Sequence, residues 1–372
     1  MLRLAATIAA KHEGPRHHRT GSATQQQLSA QEASTDLVVS APIVAHQRHT
    51  PFSRSALTCH RSVFFARRQG AGDPWQTPRR RSNDALGAWR TGSDLAKLTA
   101  SARSRSFTPV PLQTTTSVQF ANATEQTSSA NVFGIIAGSD PSLNDEYVVI
   151  SAHHDHLGVG KPDASGDAIY NGALDNGAGL AQVLAIAKAL KALPVPPRRS
   201  VIILFVAAEE QGLLGSRYFA QHPPVPAGKI AANINFDGGN IWGRARDITQ
   251  VGQGKSTLDQ VAARIAAQQG RAVKPDQFPD RGSFYRSDRF HFAQIGVPAL
   301  YMKTGLDIVD RPEGWGREQV LKFEATSYHQ PSDQVGPDWN FDGMVDDARF
   351  GFFAALEIAN ADLAPSWNAG DE

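Results

Sequence analysis

Five short stretches of this chain carry acids and imidazoles where they could bind a metal ion or move a proton. In Ser151-Ala-His-His-Asp-His-Leu-Gly, His153 and Asp155 follow directly on the apolar run at 147–150. A His-x-Asp pair at a strand end can give one metal ligand and one carboxylate that holds the other ring nitrogen and fixes the tautomer. Alone the triplet is weak, because most such triplets are ordinary surface residues. His154 and His156 are read as structural or supporting, since three ligands on neighbouring positions would crowd one another. Asp175 lies in Asn171-Gly-Ala-Leu-Asp-Asn-Gly-Ala-Gly, just before a helical pattern. An Asp there can simply cap the helix, yet the surrounding glycines leave room for both carboxylate oxygens to reach cations.

Glu209-Glu210 carries the most information. The pair closes the apolar run Val201-Ile-Ile-Leu-Phe-Val-Ala-Ala, where two acids are costly to bury unless cations or protons compensate them. Neighbouring side chains on an extended backbone point to different sides. One acid can therefore bind metal while the other faces a water; a solvated strand end is the plain alternative. Asp237, in Asn235-Phe-Asp-Gly-Gly, repeats the pattern after the next run, and His329, in Ser327-Tyr-His-Gln-Pro-Ser-Asp, adds an imidazole late in the chain. Each has an ordinary reading as a turn residue. Their shared position at strand ends is what argues against coincidence.

The elements that must hold these residues follow from the apolar pattern. Residues 94–102 read as a short helix, 114–120 alternate as a strand does, and 129–136 read as its neighbour. After the turn Gly138-Ser-Asp-Pro comes the β-branched run at 147–150. Helical segments at 177–193, 213–222, 256–269 and 342–363 then alternate with apolar strands at 201–206, 230–236 and 297–302. This order predicts an α/β fold of three layers, with a mixed, mostly parallel central sheet between helices. In such sheets ligands bind beyond the carboxyl ends of the strands, where the candidate residues fall.

A chain of 372 residues can hold one large domain or two ordinary ones. Its 37 Lys and Arg against 36 Asp and Glu leave a formal charge of +1, which gives no support to a nucleic-acid partner. The lone cysteine, Cys59, excludes an internal disulfide framework and a cysteine-rich zinc module. No run is long and apolar enough to span a bilayer. The short apolar stretch at the start, closed by Lys11 and His12, makes a poor signal peptide. Residues 1–93 are rich in Ser, Thr, Gln, Ala and Arg, with clusters such as Gln25-Gln26-Gln27 and Arg79-Arg80-Arg81. Lacking a sustained apolar period, this segment is expected to be disordered and to add little to the core. Residues 94–372 are expected to form the folded domain.

Together the motifs resemble those of the co-catalytic zinc aminopeptidases, a family that also contains glutamate carboxypeptidases and glutaminyl cyclases. The resemblance runs from about residue 94 to residue 364. It rests on Ala152-His-His-Asp-His-Leu-Gly, Gly172-Ala-Leu-Asp-Asn, Ala208-Glu-Glu-Gln-Gly-Leu-Leu-Gly-Ser and Tyr328-His-Gln-Pro-Ser-Asp, with Arg286-Ser-Asp and Gly296-Val-Pro-Ala as lesser parts. It is nearest to bacterial aminopeptidases that carry a protease-associated domain. It implies a metal-dependent exopeptidase with two Zn2+ per chain, acting on a peptide or small protein. Asp175 would bridge the ions, with His153 and Asp237 completing one shell and Glu210 and His329 the other. Glu209 would be the general base, Asp155 the partner of His153, and Tyr328 a stabiliser of the oxyanion. The resemblance also implies a cis peptide at Asp175-Asn176.

Aminopeptidase action is the first expectation. A carboxypeptidase or glutaminyl cyclase on the same fold is the runner-up, and an inactive, truncated or purely binding relative is the rival from another class. Larger members have an export signal and further segments ahead of the matching region, so a periplasmic or secreted location is implied by the family. Residues 1–93 resemble none of those segments, which makes the matching domain look truncated by comparison.

Overall fold

The computed structural model of the chain describes residues 37–39, 43–44, 95–109 and 128–371. The chain divides into two units, Met1–Ala45 with Thr127–Glu372, and His46–Gln126. In the second unit the described part is α1 (Leu95–Ser101) and the turns that follow it, in agreement with the helix read at 94–102. The strand expected at 114–120 lies outside the described residues.

In the first unit the strands are β1 (Leu37–Val39), β2 (Ile43–Val44), β3 (Ser128–Ser129), β4 (Val132–Ile136), β5 (Tyr147–His153) and β6 (Gly158–Val159). They continue as β7 (Ile169–Tyr170), β8 (Ser200–Val206), β9 (Ile230–Asn235), β10 (Asp247–Val251), β11 (Ala272–Pro275) and β12 (Ala299–Thr304). Eight of them form one sheet in the order β1-β4-β8-β5-β9-β12-β10-β11. Its centre, β8-β5-β9-β12, is parallel. The joins β1 to β4, β4 to β8 and β12 to β10 are antiparallel, and β11 returns parallel to β10.

The helices are α2 (Ala178–Lys191), α3 (Leu214–Gln221), α4 (Leu258–Gln268), α5 (Arg289–Gln294), α6 (Trp315–Thr326) and α7 (Asp342–Asn360). Strand alternation sorts the apolar side chains onto two faces. Val148, Ile150, Val201 and Ile203 pack with Val183, Ile186 and Leu190 of α2, Ala262 and Ile265 of α4, and Phe350 and Ile358 of α7. Val149, Ile202, Leu204 and Val206 pack on the other face with Phe219 of α3 and Phe292 of α5. Each such side chain contributes about 1.5–3 kcal/mol when fully buried, so both faces must be covered. The result is the three-layer α/β/α arrangement that the alternation of elements predicts. Among the described residues no helix is long and apolar enough to cross a membrane.

Two features depart from the sequence reading. The outer neighbour of β4 is β1, with Leu37, Val38 and Val39 opposite Gly134, Phe133 and Val132. Residues 37–39, and 43–44 paired with β3, thus form strands inside the segment read as lacking a sustained apolar period. Leu37-Val-Val is too short to establish a period, and its strand exists by hydrogen-bonding to β4. Second, β10, β11, α5 and α6 were not expected. β11 ends on Pro275 at the sheet edge, where a missing N–H is tolerated, and only one residue of α6, Gly316, is buried.

Candidate metal centre

β5 lies between two parallel neighbours, so its last residue, His153, emerges at the middle of the carboxyl edge and is 1 % exposed. His153 Nδ1 lies 3.1 Å from the main-chain oxygen of Asp155, a contact that suits a donating N–H and leaves Nε2 facing the site. The Asp155 carboxylate is farther, at 3.8 Å, and instead accepts the Glu209 amide at 3.1 Å. The expected pairing of Asp155 with His153 thus takes a different form: the carbonyl holds the imidazole, and the carboxylate anchors the segment carrying the two glutamates. That segment turns sharply at Ala208, whose φ of 55° is left-handed, a conformation that costs a non-glycine residue energy.

Asp175 sits between two imidazoles. His153 Nε2 lies 3.1 Å from its Oδ1 and His329 Nε2 lies 3.3 Å from its Oδ2. The peptide bond to Asn176 is cis, as the resemblance implies. His329, itself at φ 57°, is also 3.0 Å from Glu210 Oε2. On the other side His153 Nε2 is 3.9 Å from Asp237 Oδ1. His153, Asp175 and Glu210 present oxygens and nitrogen within 4.8 Å of one another, and so do His153, Glu209 and Asp237. All eight expected site residues therefore belong to one neighbourhood, Tyr328 through its stacking on His329 at a ring separation of 3.8 Å.

Several groups support this cluster that the motifs alone did not assign. His156, read only as supporting, places Nδ1 2.6 Å from Glu210 Oε1. Buried Asp333 accepts the amides of Leu174 at 2.9 Å and Asp175 at 3.1 Å, and its own carbonyl accepts the Ala173 amide. Asn176 donates to the Phe236 carbonyl and accepts from the Gly179 and Gly238 amides. It thereby ties the start of α2 to the loop of Asp237. A Cβ at Gly179 would stand 2.1 Å from the Asn176 oxygen, so this contact needs glycine. Asp288 is buried behind the cluster. Each lies in or beside a motif, but Glu210 for His156, Leu174 and Asp175 for Asp333, and Phe236 and Gly238 for Asn176 are all distant in sequence.

The electrostatics are those of a site short of positive charge. Burial, with Asp237 next, pushes the Glu209 carboxyl up to about 10. Burial pushes Asp288 up to about 7. Burial would also raise Asp175 and Glu210, but the facing imidazoles hold both below the ordinary carboxylate range. His329 is lowered by burial and raised further by Asp175 and Glu210, ending at about 9. Burial and then Asp175 raise the Tyr328 phenol, which keeps it a neutral donor. Nε2 of His153, His156 and His329 is buried without a hydrogen bond. Orphaned imidazole nitrogens aimed among carboxylates fit bound cations, and a mixed imidazole and carboxylate donor set suits zinc.

A cavity of about 390 Å³ opens beside the cluster, lined by Asp175, Glu209, Asp237 and Tyr328 and walled by Trp242, Phe278, Met302 and Phe323.

Comparison with known proteins finds relatives in sequence and in structure. The chain is 28% identical over 251 residues to the probable leucine aminopeptidase 2 of Aspergillus oryzae, a match covering 63% of this chain and 46% of that protein. It is 29% identical over 175 residues to the leupeptin-inactivating enzyme 1 of Streptomyces exfoliatus, covering 45% and 38%. The chain thus spans about half the length, or less, of these relatives. A zinc aminopeptidase from Bacillus subtilis aligns in structure with TM-score 0.46 and 22% identity over 62% of this chain and 50% of that one. The family model described as peptidase family M28 matches residues 131–353, more than half of the sequence and every candidate ligand. The chain belongs to peptidase family M28.

Proposed function

We propose that the chain is a zinc-dependent aminopeptidase with two ions bridged by Asp175. The observation that carries the reading is the placement of Asp175, with one oxygen facing His153 and the other facing His329. His153 and Asp237 would hold one ion, and Glu210 and His329 the other. Bound zinc would polarise the scissile carbonyl and lower the pKa of the attacking water. Glu209 makes no ion pair among the described residues and is fixed through its amide by Asp155. With cations bound to offset the burial and negative charge that raise its carboxyl, it would take the proton of the water and return it to the leaving amine. Tyr328, a neutral phenol beside His329, donates to the developing oxyanion. Trp242, Phe278 and Phe323 give the substrate an apolar wall that excludes water.

One observation favours a second reading. Arg286 and Lys303 line the same cavity, and neither is in an ion pair among the described residues. A free carboxylate near the scissile bond would pair with them, as in a carboxypeptidase. Incubating the purified full chain with zinc and with peptides blocked at either end separates the two. The first reading expects bound zinc and cleavage that acetylation of the amino terminus abolishes. Cleavage abolished by amidation of the carboxyl terminus would favour the second, and a chain that binds no zinc would sink both.

A further inference from the structure

The carboxyl half of β12 outruns its neighbour. β9 pairs with β12 through Asn233, Ile234 and Asn235, opposite Ala299, Leu300 and Tyr301, and the ladder stops there. β12 continues to Thr304, paired on its other side with β10. The Asn233 amide donates to the Pro298 carbonyl at 3.0 Å. Main-chain groups alternate in direction along a strand, so the even-numbered residues of β12 face β9. The Met302 carbonyl and the Thr304 amide therefore point to the side from which β9 has departed.

That side is the cavity. Tyr301 and Lys303 project from one face of β12, Met302 and Thr304 from the other. All four line the cavity that also holds Asp175, Glu209 and Asp237. Asn235, Phe236 and Asp237 at the end of β9 line it too, so it reaches the edge that β9 leaves. It reaches the cluster, because Asp175, Glu209 and Asp237 line it together with Met302 and Lys303.

We propose that this edge binds the substrate main chain as an added strand, parallel to β12. In a parallel ladder one partner residue accepts from and donates to groups two residues apart on the other strand. A single substrate residue on the carboxyl side of the scissile bond donates its N–H to the Met302 carbonyl and accepts from the Thr304 amide. It takes the ladder position that the residue after Phe236 would fill if β9 continued. A chain parallel to β12 runs outward from Asp237 with its carboxyl end leading, the direction required when the amino end is cut. The substrate class is then extended peptides with several residues after the cleavage point, bound through main-chain groups with little regard to side chains there. This inference rests on the peptidase reading above.

The test is a binding measurement on the full, zinc-loaded chain. The probe is a six-residue peptide whose first peptide bond is replaced by a non-cleavable methylene-amine link. Analogues carry one amide-to-ester replacement at successive later positions, which removes a donor without adding bulk. Loss of one neutral hydrogen bond corresponds to about 2- to 12-fold in Kd. One position should show that loss and its neighbours less than about 2-fold. Equal losses at every position, no loss at any, or no measurable binding would overturn the proposal. If one position stands out but the unmodified peptide is not hydrolysed, the edge is upheld and the aminopeptidase reading fails. If peptides are hydrolysed and no position stands out, the edge alone fails.

Discussion

Replacing Asp333 by Ala should loosen the segment that carries Asp175 without touching any proposed ligand. The Asp333 carboxylate accepts two amides, Leu174 at 2.9 Å and Asp175 at 3.1 Å, in a place closed to water. Hydrogen bonds to a charged group contribute about 1.5–3 kcal/mol each, and a buried amide left without an acceptor costs a similar amount. Two such bonds give about 3–6 kcal/mol, from which the cost of burying the carboxylate must be subtracted. That cost is visible in the raised pKa of Asp333, driven by burial against the pull of the two amides. A net loss of about 3 kcal/mol is expected, a fall of roughly 6–12 °C in melting temperature for a domain of this size. The backbone carbonyl of Asp333 still accepts the Ala173 amide, so the loop should stay in place while its end becomes mobile. Thermal melts of the chelator-treated protein read the stability, and zinc titration reads the second effect, a weaker site because Asp175 has lost its anchor. Asp333→Asn presents a donor to one of the two amides and should fall between wild type and Ala. A variant that melts within about 2 °C of wild type and binds zinc equally well would refute the reasoning.

Three other predictions follow from the same geometry. Glu209→Gln should keep close to the full zinc content while losing about 10²–10⁴-fold in turnover; retained activity with lost zinc would mean that Glu209 is the ligand and Glu210 the base. Asp175→Ala should lower zinc content more than Asp237→Ala or His329→Ala, each of which would hold one ion, and equal losses in metal analysis of the three would contradict the proposed bridge. Deleting residues 1–45 should leave zinc binding intact, because every proposed ligand lies after residue 150. It should nonetheless promote aggregation in light scattering, because β4 loses β1 from its outer edge and an unpaired edge invites pairing with another chain. Loss of zinc on that deletion, or light scattering unchanged from the full chain, would count against the account.

The candidate residues of the site were legible in the sequence because they are local to strand ends. An apolar run followed by His153, by Glu209 and Glu210, or by Asp237 identifies both a buried strand and the acid or imidazole at its carboxyl end, and parallel strands put those ends on one edge of the sheet. The alternation of elements was enough for the layers as well. What the run of residues leaves open is every relation between segments far apart in the chain. The Glu209 amide rests on Asp155, Asp175 hangs from Asp333 across a separation of 158 residues, and His156 reaches Glu210, because the order of the strands brings their ends together. The strand at Leu37–Val39 was invisible for the same reason: three apolar residues carry no period, and their pairing energy comes from β4. So it is with the free edge of β12, which exists because β9 turns away at Asn235 while β12 runs on to Thr304. Residue types set which groups can ligate, donate or accept, and hydrogen bonds between distant strands decide which of them meet.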